Sequence, residues 1–158
     1  MRNIVVGVDG SEASLTALEW ALGEARLHGA LLETVHVYPH PMPTVTPFAL
    51  EMVTISAREA EALIESRRGW LAELIRDRFP DLDSEKIRIT VLSGHAADQL
   101  VHRSTEADLL VVGARGHGGF RGLLVGSVAQ QCIHHAKCPI VVVPRPRRDD
   151  AATGSVGS

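Results

Sequence analysis

The residues best suited to chemistry lie in one run, Gly113-Ala114-Arg115-Gly116-His117-Gly118-Gly119-Phe120-Arg121-Gly122-Leu123-Leu124-Val125-Gly126-Ser127. An apolar segment, Leu109 to Val112, precedes it, and a helical pattern follows. Polyphosphate oxygens need converging backbone N–H groups, which a chain without Cβ atoms brings close, and a helix N-terminus adds a favourable partial charge. Strand, glycine-rich segment and helix start, in that order, make a phosphate site. Gly126-Ser127 supplies the helix start, with Ser127 as N-cap and hydroxyl ligand, while Arg115, His117 and Arg121 offset negative charge.

The other chemistries that such a chain might host are less well supplied. A dinucleotide oxidoreductase places its glycines after the first strand, where this sequence reads Asp9-Gly10-Ser11-Glu12-Ala13. A P-loop ATPase needs a lysine in its glycine loop, and Lys86 and Lys137 both lie elsewhere. A phosphoacceptor receiver would want carboxylates and a lysine that Leu92-Ser93 and Pro144-Arg145 do not provide. His36 and His40 straddle a strand end and a proline-rich stretch, and His134-His135 point different ways on a helix, so neither pair makes a metal site. His95 and His102 read as ordinary, partly exposed histidines, and Trp20 and Trp70 as packing residues. Cys132 and Cys138 lack CxxC spacing and read as two reduced thiols.

Positioning the glycine run is the task of alternating strands and helices. Apolar β-branched runs at Ile4–Val8, Leu31–Val37, Ile87–Leu92, Leu109–Val112 and Ile140–Val143 are separated by stretches long enough for crossover helices. That rhythm predicts parallel strands joined by helices in a single α/β domain, and the doubly wound, flavodoxin-like fold expected of it has a five-stranded parallel sheet of order 3-2-1-4-5 with helices on both faces. Ser11 is the expected N-cap of the first helix, with Leu15, Leu18, Leu22 and Ala25 as its apolar face and Gly29 as its end. Four prolines between 38 and 48 predict a loop over the strand ends, and a long helix is expected from about Leu50 to Phe79. The third strand alternates polar and apolar residues as a half-exposed edge would, and a last helix is expected over 127–136. Residues 145–158 have the composition of a disordered tail, which leaves 1–144 as the domain.

Of 158 residues, 45% are hydrophobic and 22% charged, as in an ordinary globular domain, and the formal net charge is only -3. The dispersed basic residues argue against nucleic acid as a partner. No apolar run approaches the roughly 20 residues that span a bilayer, and Met1-Arg2-Asn3 leads directly into a strand, so no membrane partner and a cytoplasmic location are expected.

The spacing Gly113-x2-Gly116-x9-Gly126-Ser127 resembles the G-x2-G-x9-G-S motif of the nucleotide-binding branch of the universal stress protein (UspA-like) family. The resemblance extends from Ile4-Val5-Val6-Gly7-Val8-Asp9-Gly10-Ser11 through Ala107–Gly113 to Cys138–Pro144. It implies ATP as the ligand, with Mg2+ bound through the phosphates. Asp9 and the Gly7–Val8 backbone would then face adenine and ribose, Val37 would contact adenine, and Gly113, Ala114, Arg115, Gly116, His117, Gly118, Gly119, Gly126, Ser127 and Val128 would cradle the phosphates. Ala114 stands where many relatives carry Ser or Thr, so the expected contact there is its backbone amide. The resemblance further implies a homodimer paired through residues 139–143, which would cover an otherwise exposed apolar edge. Since the loop itself supplies only His117 as a candidate to orient an attacking water, with Asp9 the other residue that a slow hydrolase could use, the expected role is an ATP-dependent sensor or regulator with little or no hydrolysis. A slow ATP hydrolase and a structural dimer without nucleotide are the alternatives.

Overall fold

The computed structural model describes residues 1–39, 57–80, 86–116 and 125–144. Within them run β1 (Asn3–Gly7), α1 (Glu12–His28), β2 (Leu31–Tyr38), α2 (Ala57–Arg78), β3 (Ile87–Ser93), α3 (Ala96–Arg103), β4 (Leu109–Gly113), α4 (Ser127–His135) and β5 (Ile140–Val143). The strands form one parallel sheet of order β3-β2-β1-β4-β5, as the sequence predicts. Register is set by pairs such as Val6 with Thr34 and with Val111.

Side chains alternate across each strand, so the sheet has two apolar faces. Ile4, Val6, Leu32, Leu109 and Val111 pack against Ala17, Leu18, Leu22, Leu71 and Ile75 of α1 and α2. Val5, Val35, Leu110 and Val112 pack against Leu100 of α3 and Ala129 and Cys132 of α4. Full burial of a large side chain such as Leu18 or Leu110 contributes about 1.5–3 kcal/mol, which is what presses both helical layers onto the sheet.

The first helix opens and closes where its sequence says. Ser11 Oγ accepts the Ser14 N–H at 3.3 Å, and Gly29 takes the left-handed conformation at φ 62°. Its buried face differs from the expected one, because Ala13, Ser14, Ala17 and Ala21 are buried with Leu18, Leu22 and Ala25, whereas Leu15 is only partly so. Small residues let the helix lie close to the strands, and at Gly113 the approach is so close that a Cβ would sit 2.7 Å from the Ala13 carbonyl carbon.

Three expectations are corrected or bounded. Strands β2 and β3 run one residue further than expected, to Tyr38 and Ser93. The last helix ends at His135, with Ala136 already out of helical conformation at ψ 146°. The expected helix start at 50–56, the proline-rich stretch 40–48 and the tail 145–158 lie outside the described residues. β3 is half-exposed, as its alternation predicts, and β5 is partly buried at Ile140, Val141 and Val142. Trp20 and Trp70 keep 38% and 37% of their surface exposed, and Trp70 packs on the His36 ring with centroids 4.9 Å apart. No helix among the described residues is long and apolar enough to cross a membrane.

Candidate functional site

A cavity of about 330 Å3 opens at the carboxyl ends of β1 and β4, the point where the strand order reverses. Its walls include Gly7, Val8, Asp9, Val37, Gly113, Ala114, Arg115, Gly116, Gly126, Ser127 and Val128. The sequence thus named residues from four separate elements that the fold brings together. His117, Gly118, Gly119 and Arg121 lie outside the described residues. Ser14, Val35, Ala96, Leu100, Val112 and Ala129 complete the lining and were not foreseen. Ser14 had a readable signal, since it stands three residues after the helix cap, where a side chain folds back on the first turn. The apolar members had none beyond their core periodicity.

The backbone amides of the glycine run divide into those already used and those still available. Ala114 N–H donates to Val143 O at 2.7 Å, and Gly126 N–H donates to Ala114 O at 2.7 Å. The expectation that Ala114 and Gly126 offer their amides to phosphate is therefore corrected: both are consumed in holding the segment's ends together and against β5. Gly113 is likewise a packing glycine, required by the approach of Ala13 and Ser14 rather than by a ligand.

The available donors belong to α4. Its N-cap is Gly126, at φ -77° and ψ 164°, rather than Ser127, which already has helical geometry. The correction matters because Gly126 has no side chain to cap with. Of the four N–H groups that a helix leaves without internal partners, Gly126's goes to Ala114, and those of Ser127, Val128 and Ala129 find no acceptor among the described residues. All three residues line the cavity. Helices α1, α2 and α3 each carry an acidic residue in the first turn, namely Glu12, Glu59 and Asp98, and α4 carries none. Its positive end is thus the one left uncompensated, and an anion is the ligand that matches it.

Asp9 occupies the opposite wall. Its Oδ1 accepts the Ser11 N–H at 2.9 Å, a turn that depends on Gly10 at φ 86°. The Asp9 N–H donates to Ser14 Oγ at 3.3 Å, and Ser14 Oγ in turn donates to Ser11 O at 2.9 Å. The Ser11 hydroxyl, at 3.4 Å from Arg115 O, ties this turn to the glycine run. A Cβ on Gly116 would collide with Asp9 Oδ2, so the glycine lets the two walls approach. Asp9 thus holds the turn into α1 and also lines the cavity.

Elsewhere, burial pushes the Cys132 thiol up to about 11 and raises that of Cys138. Both cysteines are free.

A family profile described as "Universal stress protein family" matches residues 1–144. A universal stress protein of Mycobacterium tuberculosis is 34% identical over 139 residues, which cover 88% of this chain and 44% of the relative. One from Mycobacterium bovis is 32% identical over 139 residues with the same coverage. The chain therefore spans less than half the length of these relatives. Among solved structures, universal stress protein UspA from Lactobacillus plantarum shares the fold at a TM-score of 0.69 with 23% identity, covering 90% of this chain and 97% of that one. A universal stress protein in complex with cAMP matches at a TM-score of 0.61 and 26% identity, covering 92% and 98%. The Archaeoglobus fulgidus protein in complex with dAMP matches at 0.57 and 22%, covering 90% and 98%. On the family match along 1–144 and these relatives, the chain belongs to the universal stress protein family.

Proposed function

We propose that this chain binds ATP in the cavity between Asp9 and the start of α4 and serves as a nucleotide-dependent sensor or regulator with little or no hydrolysis. The observation that carries the reading is the set of three N–H groups, at Ser127, Val128 and Ala129, that find no acceptor among the described residues, at the start of a helix with no acid in its first turn and beside a cavity. Those donors suit phosphate oxygens, and the Ser127 hydroxyl and the Arg115 side chain stand on the same wall. Asp9, an acceptor that would repel phosphate, suits the hydroxyl and amino groups of ribose and adenine instead. Val37 supplies an apolar surface for the base. A volume of about 330 Å3 falls in the ordinary range for small-molecule sites. The cAMP and dAMP complexes of two family structures support an adenine nucleotide as the class.

The residues fit a nucleotide that carries Mg2+ through its phosphates, since the ion would neutralise oxygens that the three amides leave exposed. Asp9 is the one carboxylate residue among the described walls, and because its Oδ1 already accepts the Ser11 N–H, the sensor reading is preferred to the hydrolase. The same reading places a second copy of the chain against β5, pairing Ile140–Val143 antiparallel with its twin and covering an edge that is otherwise half open.

Mass spectrometry of what freshly purified protein releases on denaturation, followed by calorimetric titration with Mg-ATP, tests the binding. ATP from the wild type and none from Gly116→Glu is the expected result. No nucleotide from either, with no binding on titration, overturns the proposal. Steady phosphate release above about one per minute replaces the sensor with the hydrolase. Light scattering that finds a monomer at micromolar concentration removes the dimer.

A further inference from the structure

His36 is 6% exposed in a strand whose neighbours are mostly apolar, and it belongs to neither the cavity wall nor any metal cluster. Its Nδ1 lies 2.9 Å from Val8 O. A carbonyl oxygen can only accept, so Nδ1 carries the hydrogen. The other ring nitrogen, Nε2, is buried and finds no partner among the described residues, and the ring is held by Trp70 of α2 at 4.9 Å between centroids. A buried polar atom left unmatched is costly, and a single interaction, the one to Val8, offsets it.

That interaction falls at a particular place in the ladder. Val8 N–H donates to Val35 O at 2.8 Å, and the next rung of a parallel pair would run from Val37 N–H to Val8 O. The imidazole takes that oxygen instead. The Val8 carbonyl and the Asp9 N–H belong to one planar peptide unit, so fixing one end fixes the other. The far end of this unit donates to Ser14 Oγ at 3.3 Å. The peptide that launches Asp9 into the cavity is thus gripped from both sides, by His36 across the sheet and by Ser14 from α1.

We propose that His36 is a positioning residue for nucleotide binding: its Nδ1–H, clamped on Val8 O, sets the direction in which Asp9 presents its carboxylate. The inference rests on the nucleotide reading of the cavity. It predicts a side chain that never touches ligand and yet governs affinity through one other residue.

The experiment is a titration with Mg-ATP of the wild type, His36→Phe, His36→Asn, Asp9→Ala and the double variant His36→Phe/Asp9→Ala. Phenylalanine keeps a ring against Trp70 but has no donor, whereas the Asn amide places a donor close to Nδ1. The expected result is an affinity about tenfold lower for His36→Phe, recovery to within about threefold for His36→Asn, and no further loss when His36→Phe is added to Asp9→Ala. Undiminished binding by His36→Phe, or losses that simply multiply in the double variant, overturns the inference and leaves the nucleotide site standing. Absence of binding in the wild type overturns both. Imidazole 15N shifts of the unmutated chain give a check that survives a variant that fails to fold: a protonated Nδ1 is expected, and a protonated Nε2 on an unprotonated Nδ1 overturns the clamp.

Discussion

Gly113 meets Ala13 where β4 ends and α1 begins, and a Cβ on the glycine would lie 2.7 Å from the Ala13 carbonyl carbon and 2.9 Å from Ser14 N. Those are backbone atoms of a helix already seated on the sheet, and they cannot swing aside. Gly113→Ala should lose about 1–3 kcal/mol of stability as the helix is pushed off the strand. Chemical denaturation measures it, and a midpoint equal to that of the wild type would show that α1 sits further away.

Gly116 contrasts with it, because the atom in the way is a side-chain oxygen, Asp9 Oδ2, rather than helix backbone. Gly116→Ala should cost less stability than Gly113→Ala and lower Mg-ATP affinity about tenfold by turning the carboxylate. The two measurements on one variant separate a binding glycine from a packing one. Equal affinity with lowered stability would reverse the assignment.

Gly126 caps α4 with dihedrals that any residue accepts, and an added Cβ would meet only ordinary contacts at 3.5 Å from Ala114 O. A serine there can accept the Val128 or Ala129 N–H. Gly126→Ser should gain a few tenths of a kcal/mol in stability and lose nucleotide affinity, since the cap competes for the donors assigned to phosphate. A variant that gains both, or loses stability, argues that those amides are not the ligand's.

Asp108 is exposed, and it accepts N–H groups from Arg2 and from Asn3, the latter at 3.0 Å, pinning the start of β1 beside β4. The Arg2 N–H, then the Asn3 N–H, hold its carboxyl below the ordinary value of 3.8. A lowered folded value means a stabilising contribution that is complete above the unfolded value and lost as pH falls through the folded one. Wild type should therefore exceed Asp108→Asn in stability at pH 6, with the gap closing below pH about 3.8. A constant gap down to pH 2 would remove the carboxylate from the account.

Alkylation offers a further check. With its thiol near 11 and its side chain inaccessible, Cys132 should resist iodoacetamide at pH 8 until the chain is unfolded, while half-buried Cys138 reacts slowly. Equal native rates at both positions would mean that α4 does not press Cys132 against the sheet.

The sequence was most legible where a local rule and the global pattern agree. Ser11 and Gly29 bound α1 because capping needs only nearby atoms, and the parallel pairing of strands joined by helices followed from apolar runs at crossover spacing. The site was legible as a set of positions but not as a set of donors. That Ala114 N–H is spent on Val143, 29 residues on, depends on β5 lying beside β4, which no local pattern states. Serine caps better than glycine, which points to Ser127, but Gly126, bonded to Ala114, is extended and caps the helix, so Ser127 is already its first residue. His36 reads from spacing alone as half of a metal pair with His40. Its better signal is a histidine between the apolar Val35 and Val37 of a largely buried strand, where the ring needs at least one hydrogen-bond partner.

The bond between Ala114 and Gly126 closes the ends of the intervening segment on the frame of the domain, independently of what that segment contains. Once the ends are fixed, doubling the length between them costs about 0.6 kcal/mol in closure entropy, comparable with a single hydrogen bond. The frame and the insert are thus separable in engineering terms. Replacing residues 117–124 should therefore leave the sheet and the described helices as they are, provided that Arg115 and Gly116 keep their contacts with Ser11 and Asp9.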